Sequence, residues 1–210
     1  MSATAPATTT VAAPRPALLR GMHHTGYVTQ DSQATVDFYT KVMGLKYVCA
    51  VTDDRVPSTG DPFPYMHLFF MMADGSTLAF FESIGLPPPA KSTHPGYDVF
   101  THLALNAATR EEVDNWAAHL RAHNVEFIGP IDHGIIYSVY FHDPNNIRLE
   151  ITATTDDSWT NHAEQAREDL AGWEAAKRRD REAGTGSQAV QAWIATRREA
   201  LRAQGIGVAH

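Results

Sequence analysis

Two histidines and one glutamate are the residues of this 210-residue chain whose types and positions best suit metal chemistry. His24 and His102 each stand at the opening of a predicted strand, and Glu150 lies in the strand Ile147–Ile151. Alternation puts Glu150 on the opposite face from the three apolar residues of that strand. A carboxylate in such a strand is costly to bury alone, so a cation partner is expected. Two neutral imidazoles and one carboxylate with open positions suit non-haem Fe(II), and also Mn(II).

An internal repeat is what predicts that these three residues meet. The order βαβββ occurs twice, in a module at residues 18–84 and a module at residues 98–153. Aligning the opening strands places His24 on His102, and aligning the closing strands places Ala79 on Glu150. Side by side, the modules predict an α+β fold with a curved mixed sheet around a metal cleft. The fourth equivalent position, Ala79, offers no ligand and leaves room for oxygen or a chelating substrate.

The helices and strands are predicted from the hydrophobic periodicity and from the residues that typically begin and end helices. In the first module a helix starts at Asp31 or Ser32 and ends before Gly44. In the second, Thr109 and Glu112 form a capping box, and Asn124 follows the helix. The predicted strands are Gly21–Val28, Leu45–Thr52, Tyr65–Met72, Thr77–Glu82, Phe100–Asn106, Val125–Ile128, Ile135–Phe141 and Ile147–Thr152.

The remainder of the chain has a different composition. Residues 1–17 are rich in Ala, Thr and Pro and are interpreted as a disordered tail. Residues 154–210 are predicted to be a helical extension with two amphipathic helices, Asn161–Glu182 and Gln188–Gln204, around a Gly-rich break. Their apolar faces are expected to pack on the sheet modules or on a neighbouring subunit.

Composition excludes several classes of function. The net charge of −7 and the pI of about 5.8 argue against a nucleic-acid partner or an anionic membrane surface. No apolar run reaches the ~18 residues of a membrane span. The single cysteine, Cys49, cannot form an internal disulfide, so a cytoplasmic location is expected.

Three segments together resemble the vicinal oxygen chelate superfamily, which includes glyoxalase I, extradiol ring-cleaving dioxygenases, fosfomycin resistance enzymes and bleomycin-binding proteins. They are His23-His-Thr-Gly-Tyr-Val28, the strand opening at His102, and Asp143-Pro-Asn-Asn-Ile-Arg-Leu-Glu150. The resemblance covers about Leu18–Ala153. It implies the fold and a divalent metal held by His24, His102 and Glu150.

Within that superfamily the chain is most similar to single-domain extradiol dioxygenases. These carry a tyrosine ten residues before the glutamate ligand, which implies that Tyr140 hydrogen-bonds a bound catecholate. Their acid–base histidine is replaced here by Ser76, a group that cannot shuttle protons at neutral pH as an imidazole does. His67 on the paired strand and His94 in the linker are the candidates for that role, and we assign it to His67.

We therefore expect the protein to be an Fe(II)-dependent dioxygenase that cleaves a catechol-like aromatic substrate with O2 as co-substrate. We also expect it to form a homodimer. Phe69, Phe80, Phe81 and the proline-rich loops are expected to form apolar walls for the ring. One alternative is a glyoxalase-like isomerase or lyase, favoured if Glu82 faces the cleft. Another is a small-molecule-binding protein of the same fold without turnover.

Overall fold

The computed structural model describes residues 19–90 and 94–203. The chain forms two βαβββ modules and a helical extension, so the predicted α+β class and the internal repeat are confirmed. Each module has its own four-stranded mixed sheet. The predicted tail at residues 1–17 lies outside the described residues.

The first module is built around helix α1 (Ser32–Asp37), which continues as a π-helical turn at Phe38–Val42. The Asp31 side chain caps the helix by accepting a hydrogen bond from the Ala34 N–H. Gly44, just beyond the turn, has a φ of +68°, as a C′ residue requires. The strands are β1 (Tyr27–Val28), β2 (Lys46–Asp53), β3 (Tyr65–Met71) and β4 (Thr77–Ser83), in the spatial order β1-β4-β3-β2 with β1 parallel to β4.

The second module repeats this order after a linker that contains the short helix α2 (Pro95–Phe100). Phe100 was predicted to open a strand, but it closes α2, because His94 caps that helix and Pro95 favours its first turn. The capping box of helix α3 (Arg110–Ala122) is confirmed by the hydrogen bond from the Glu112 N–H to the Thr109 hydroxyl. The strands are β5 (Leu103–Asn106), β6 (Phe127–Asp132), β7 (Ile136–His142) and β8 (Arg148–Thr154), in the order β5-β8-β7-β6.

The strand registers reproduce the predicted overlay of the modules. His24 bridges Thr77, two residues before Ala79. In the second module Leu103 pairs with Leu149, so the same parallel register sets His102 beside the residue two before Glu150. His24 and His102 are therefore equivalent positions, and so are Ala79 and Glu150.

One face of each sheet packs against the helices to form a common core. On β4 this face carries Leu78 and Phe80, and Phe80 packs against the Tyr39 ring with centroids 4.9 Å apart. The expectation that Phe80 lines a substrate pocket is therefore wrong. Alternation leaves Phe81 and, on β3, His67 and Phe69 on the other face of the sheet.

The C-terminal extension is a helical hairpin of α4 (Ala163–Ala183) and α5 (Gln188–Ala203), preceded by a 3₁₀ turn at Asp157–Asn161. Gly184 ends α4 in the left-handed region, with a φ of +65°. The helices pack on each other through the edge-to-face pair Trp173 and Trp193. Across residues 19–90 and 94–203, no helix combines the length and apolar character needed to cross a membrane.

Candidate metal centre

Glu150 is a buried carboxylate with two side-chain partners. Its residue is 2% exposed, between two core residues of β8. The His102 Nε2 lies 2.9 Å from Glu150 Oε2. The Tyr140 hydroxyl donates to Glu150 Oε1 across 2.9 Å. These three predicted site residues are therefore brought together.

Strand order explains why they meet. Strand β8 lies between β5 and β7, and Tyr140 is the direct partner of Glu150 across the β7–β8 ladder. His102 immediately precedes β5, which is parallel to β8. Directly opposed residues in an antiparallel pair have Cβ atoms about 5 Å apart, within reach of a tyrosine hydroxyl and a carboxylate.

Tyr140 links Glu150 to a fourth residue, His133, which the sequence reasoning missed. The Tyr140 hydroxyl lies 3.0 Å from His133 Nε2. Burial first, then the hydrogen bond to Glu150, raises the pKa of Tyr140 to about 12, so the hydroxyl keeps its proton at neutral pH. Since that proton goes to Glu150, His133 Nε2 is the donor to the hydroxyl oxygen. The available sequence signal was the position of His133 in a turn just before β7.

His24 lies in a different cluster. Its Nδ1 is 2.7 Å from the Nδ1 of His23, and its ring centroid is 5.8 Å from those of both His67 and Phe69. Within residues 19–90 and 94–203, no three His, Cys, Asp or Glu side chains approach closely enough to hold one metal ion. One chain thus presents the donors as two separate sets: a His24 set, and a set with His102 and Glu150.

His67 lies beside His24 and packs against an aromatic ring. Its ring stacks on Phe81 with centroids 3.6 Å apart and an interplanar angle of 18°. Its Nε2 is buried and has no hydrogen-bond partner among the described residues. Desolvation, with a smaller contribution from His24, lowers the pKa of His67, so the ring is neutral at neutral pH. A neutral imidazole of this kind can accept a proton.

An apolar cavity of about 450 Å³ adjoins His67. Its lining comes from the proline-rich loop after β2, from β3 and β4, and from the start of the linker: Val56, Pro57, Ser58, Phe63, Tyr65, His67, Phe81, Ser83 and Leu86. None of these side chains carries a carboxylate or a fixed positive charge. The cavity therefore suits an uncharged, largely apolar group.

The neighbours of the empty fourth position do not supply another ligand. The Ser76 hydroxyl donates to Asp74 across 2.6 Å in the β3–β4 turn. Glu82 accepts a hydrogen bond from the Ser32 N–H at the start of α1, and alternation places it on the helix-facing side of β4 with Phe80. Glu82 therefore caps a helix and does not face the cleft side. His94 caps α2.

His102 and Glu150 fit a divalent metal as two neighbouring ligands. Ligand bonds of about 2.1 Å at right angles separate donor atoms by about 3 Å. The observed 2.9 Å between His102 Nε2 and Glu150 Oε2 matches that separation. Imidazole nitrogen with carboxylate oxygen is also a donor set suited to Fe(II) or Mn(II).

Comparisons with known proteins identify a family with this architecture. The profile of the family described as "Glyoxalase/Bleomycin resistance protein/Dioxygenase superfamily" matches residues 21–151. The Bacillus subtilis (strain 168) protein named "Putative ring-cleaving dioxygenase MhqA" is 28% identical over 138 residues, which are 64% of this chain and 40% of that protein. The chain thus spans less than half the length of this relative.

Two solved structures share the fold. A glyoxalase/dioxygenase from Nostoc punctiforme is 25% identical, with a TM-score of 0.50 over 70% of this chain and 100% of that one. A glyoxylase/bleomycin resistance protein/dioxygenase domain from Frankia sp. EAN1pec is 19% identical, with a TM-score of 0.53 over 65% of this chain and 99% of that one.

Proposed function

The chain belongs to the glyoxalase/bleomycin resistance protein/dioxygenase superfamily, and we propose that it is an Fe(II)-dependent dioxygenase that cleaves a catechol-like aromatic ring. The observation that carries the proposal is the Glu150 carboxylate held between His102 and Tyr140. A relative with a ring-cleaving dioxygenase name agrees with that chemistry.

Ala79, the fourth equivalent position of the repeat, distinguishes the proposed dioxygenase from a glyoxalase-type isomerase. The resemblance to glyoxalase I implies that an isomerase of that type would carry a carboxylate ligand at the position of Ala79. Glu82, the nearest substitute, is engaged in capping α1. We therefore assign three protein ligands, His24, His102 and Glu150, to a metal with open positions. Fe(II) is the proposed ion, and Mn(II) satisfies the same donors.

The third ligand is proposed to come from a second copy of the chain. Among the described residues of one chain, no third metal-ligating side chain lies close enough to complete a site with His102 and Glu150. His24 of the partner subunit, on the equivalent strand of the repeat, would complete the set. The proposed homodimer thus shares each metal between two chains.

The other residues have roles that follow from their surroundings. When bound, the metal would lower the pKa of a chelating diol and bring it together with O2. Tyr140, protonated at neutral pH, donates a hydrogen bond at the edge of the site. His67, neutral and beside His24, is the proposed proton acceptor in place of the histidine that Ser76 replaces. Phe81 and the neighbouring cavity would hold the apolar part of the ring.

Oxygen consumption tests the proposed reaction. Protein loaded anaerobically with Fe(II) is expected to consume O2 with simple catechols and to form yellow ring-fission products. Metal content measured on the purified protein provides the necessary control. Full metal loading without O2 uptake on a broad catechol panel would overturn the dioxygenase assignment, and turnover without O2 would favour an isomerase.

A complementation experiment tests the shared metal. His24→Ala and His102→Ala are each expected to abolish metal binding in the homodimer. Unfolding and refolding the two variants together forms mixed dimers, in which one of the two sites has all its ligands if sites are shared. Recovery of metal in the mixture supports a shared site, whereas its absence in verified mixed dimers places all three ligands in one chain.

A further inference from the structure

An exposed apolar stripe runs along α4. It consists of Ala163, Ala166, Leu170 and Trp173, all on one side of the helix. Leu170 is 61% exposed and Trp173 is 38% exposed, although α5 packs beside them. Their spacing of three, four and three residues is that of a coiled-coil seam. We expected this face to pack on the sheet modules or on a neighbouring subunit, but Leu170 stays largely exposed in the described part of this chain.

The contact of α4 with α5 lies beside the stripe and overlaps it at Trp173, which packs on Trp193 of α5. Arg197 of α5 forms an ion pair with Asp169. Asp180 is 3% exposed and accepts hydrogen bonds from the Ala189 and Val190 N–H groups at the start of α5. The hairpin thus has its own buried side, and the α4 stripe is a second apolar surface beside it.

Charges beside the stripe indicate what covers it. Arg167 and Glu174 lie one heptad apart, so they share one edge of the stripe and cannot contact each other within the helix. Arg167 makes no ion pair or hydrogen bond within the described residues. Glu174 accepts only a local bond, from Lys177. The two charges are three residues before and four residues after Leu170.

We propose that α4 pairs with α4 of a second copy, antiparallel, about a two-fold axis near Leu170. This arrangement sets Arg167 of each chain beside Glu174 of the other, which is the self-complementarity that a two-fold interface requires. It also covers Leu170 and Trp173 with the same residues of the second copy. The proposal rests on α4 alone and does not depend on the metal or the reaction.

Sedimentation equilibrium of the full chain tests the contact. The wild-type protein is expected at twice the 23.1 kDa chain mass at micromolar concentrations. Leu170→Glu is expected to weaken self-association by about tenfold or more, since a charge enters the buried seam. Ala171→Glu is the matched control: it adds the same side chain at an exposed position about 100° further around the helix. Equal masses for the two variants, or a monomeric wild type, would overturn the proposal.

A charge exchange tests the orientation. Arg167→Glu places like charges together twice in the dimer and is expected to weaken it at least about threefold. Adding Glu174→Arg to the same chain is expected to restore wild-type association, because each pair is re-formed with opposite sign. Both positions are exposed, so folding, checked by circular dichroism, is expected to be unchanged. Weakening by Leu170→Glu without this rescue would place the stripe against another part of the partner and reject the antiparallel pairing.

Discussion

The Tyr39 hydroxyl donates a hydrogen bond to the Asp143 carboxylate across 3.1 Å, although 104 residues separate them in sequence. Tyr39 belongs to the π-helical turn of the first module, and Asp143 opens the turn between β7 and β8 of the second. The same carboxylate accepts bonds from the Asn145 and Ile147 N–H groups. One buried side chain thus fixes both a local turn and the contact between modules.

Tyr39→Phe is predicted to destabilise the protein by about 1–3 kcal/mol, because it leaves a buried carboxylate oxygen without one of its donors. Tyr39 is fully buried, and Asp143 is 5% exposed. Urea unfolding measures the change. Tyr47→Phe, at a 41% exposed tyrosine, is the control and is expected to be nearly neutral. Equal effects for the two variants would contradict the inter-module role.

Stability is predicted to depend on pH through Asp143. Burial raises the pKa of Asp143 more than its hydrogen bonds lower it. The folded state therefore keeps this proton to a higher pH than the unfolded state, whose value is about 3.9. The contribution is fully present below that value and is lost as pH rises through the raised folded pKa.

Urea unfolding of the wild type and of Asp143→Asn over a pH series checks this prediction. The wild-type free energy of unfolding minus that of the variant is expected to fall as pH rises from about 4. The subtraction removes groups that titrate alike in both proteins. A difference that grows with pH would show that the hydrogen bonds outweigh burial.

Tyr140→Phe is predicted to lower activity or metal affinity by about 10–100-fold, since it removes the donor that orients Glu150. With a pKa of about 12, Tyr140 itself should add no inflection to the activity profile near neutral pH. Tyr137→Phe is the matched control on the same strand, because its hydroxyl bonds Asp114 instead. Steady-state kinetics and metal titration distinguish the two. If both variants behave alike, the role assigned to Tyr140 is wrong.

Glu150→Gln and Glu82→Gln are predicted to affect different properties, metal content for the first and thermal stability for the second. The first removes the proposed ligand, so the metal retained after dialysis should fall sharply. The second weakens the cap of α1 and should lower the melting temperature while metal content stays unchanged. Elemental analysis and thermal unfolding of both variants provide the test. Loss of metal in the Glu82→Gln variant but not in the Glu150→Gln variant would favour the glyoxalase-like alternative.

Local patterns in the sequence were sufficient for the modules and for part of the site. The strand order, the capping box at Thr109 and the helix ends at Gly44 and Asn124 depend on neighbouring residues and were predicted correctly. So was the overlay of Ala79 on Glu150, because the period of two along a strand fixes which residues share a face. Strand boundaries moved by a few residues, and α2 was missed, because its short helix follows from a cap and a proline inside a linker.

The sequence by itself determined the duplicated scaffold and which residues are equivalent within it. Only the tertiary structure decided which of them meet. Glu150 contacts His102 and Tyr140 because β8 pairs with β5 on one side and with β7 on the other, within one module. His24 lies beside His67 because both belong to the sheet of the first module. The separation of His24 from His102 and Glu150 depends on how the buried faces of the two modules pack, through pairs such as Tyr39 and Asp143. Packing of that kind joins distant segments by shape and burial, and it leaves no period in the sequence from which the meeting could be predicted.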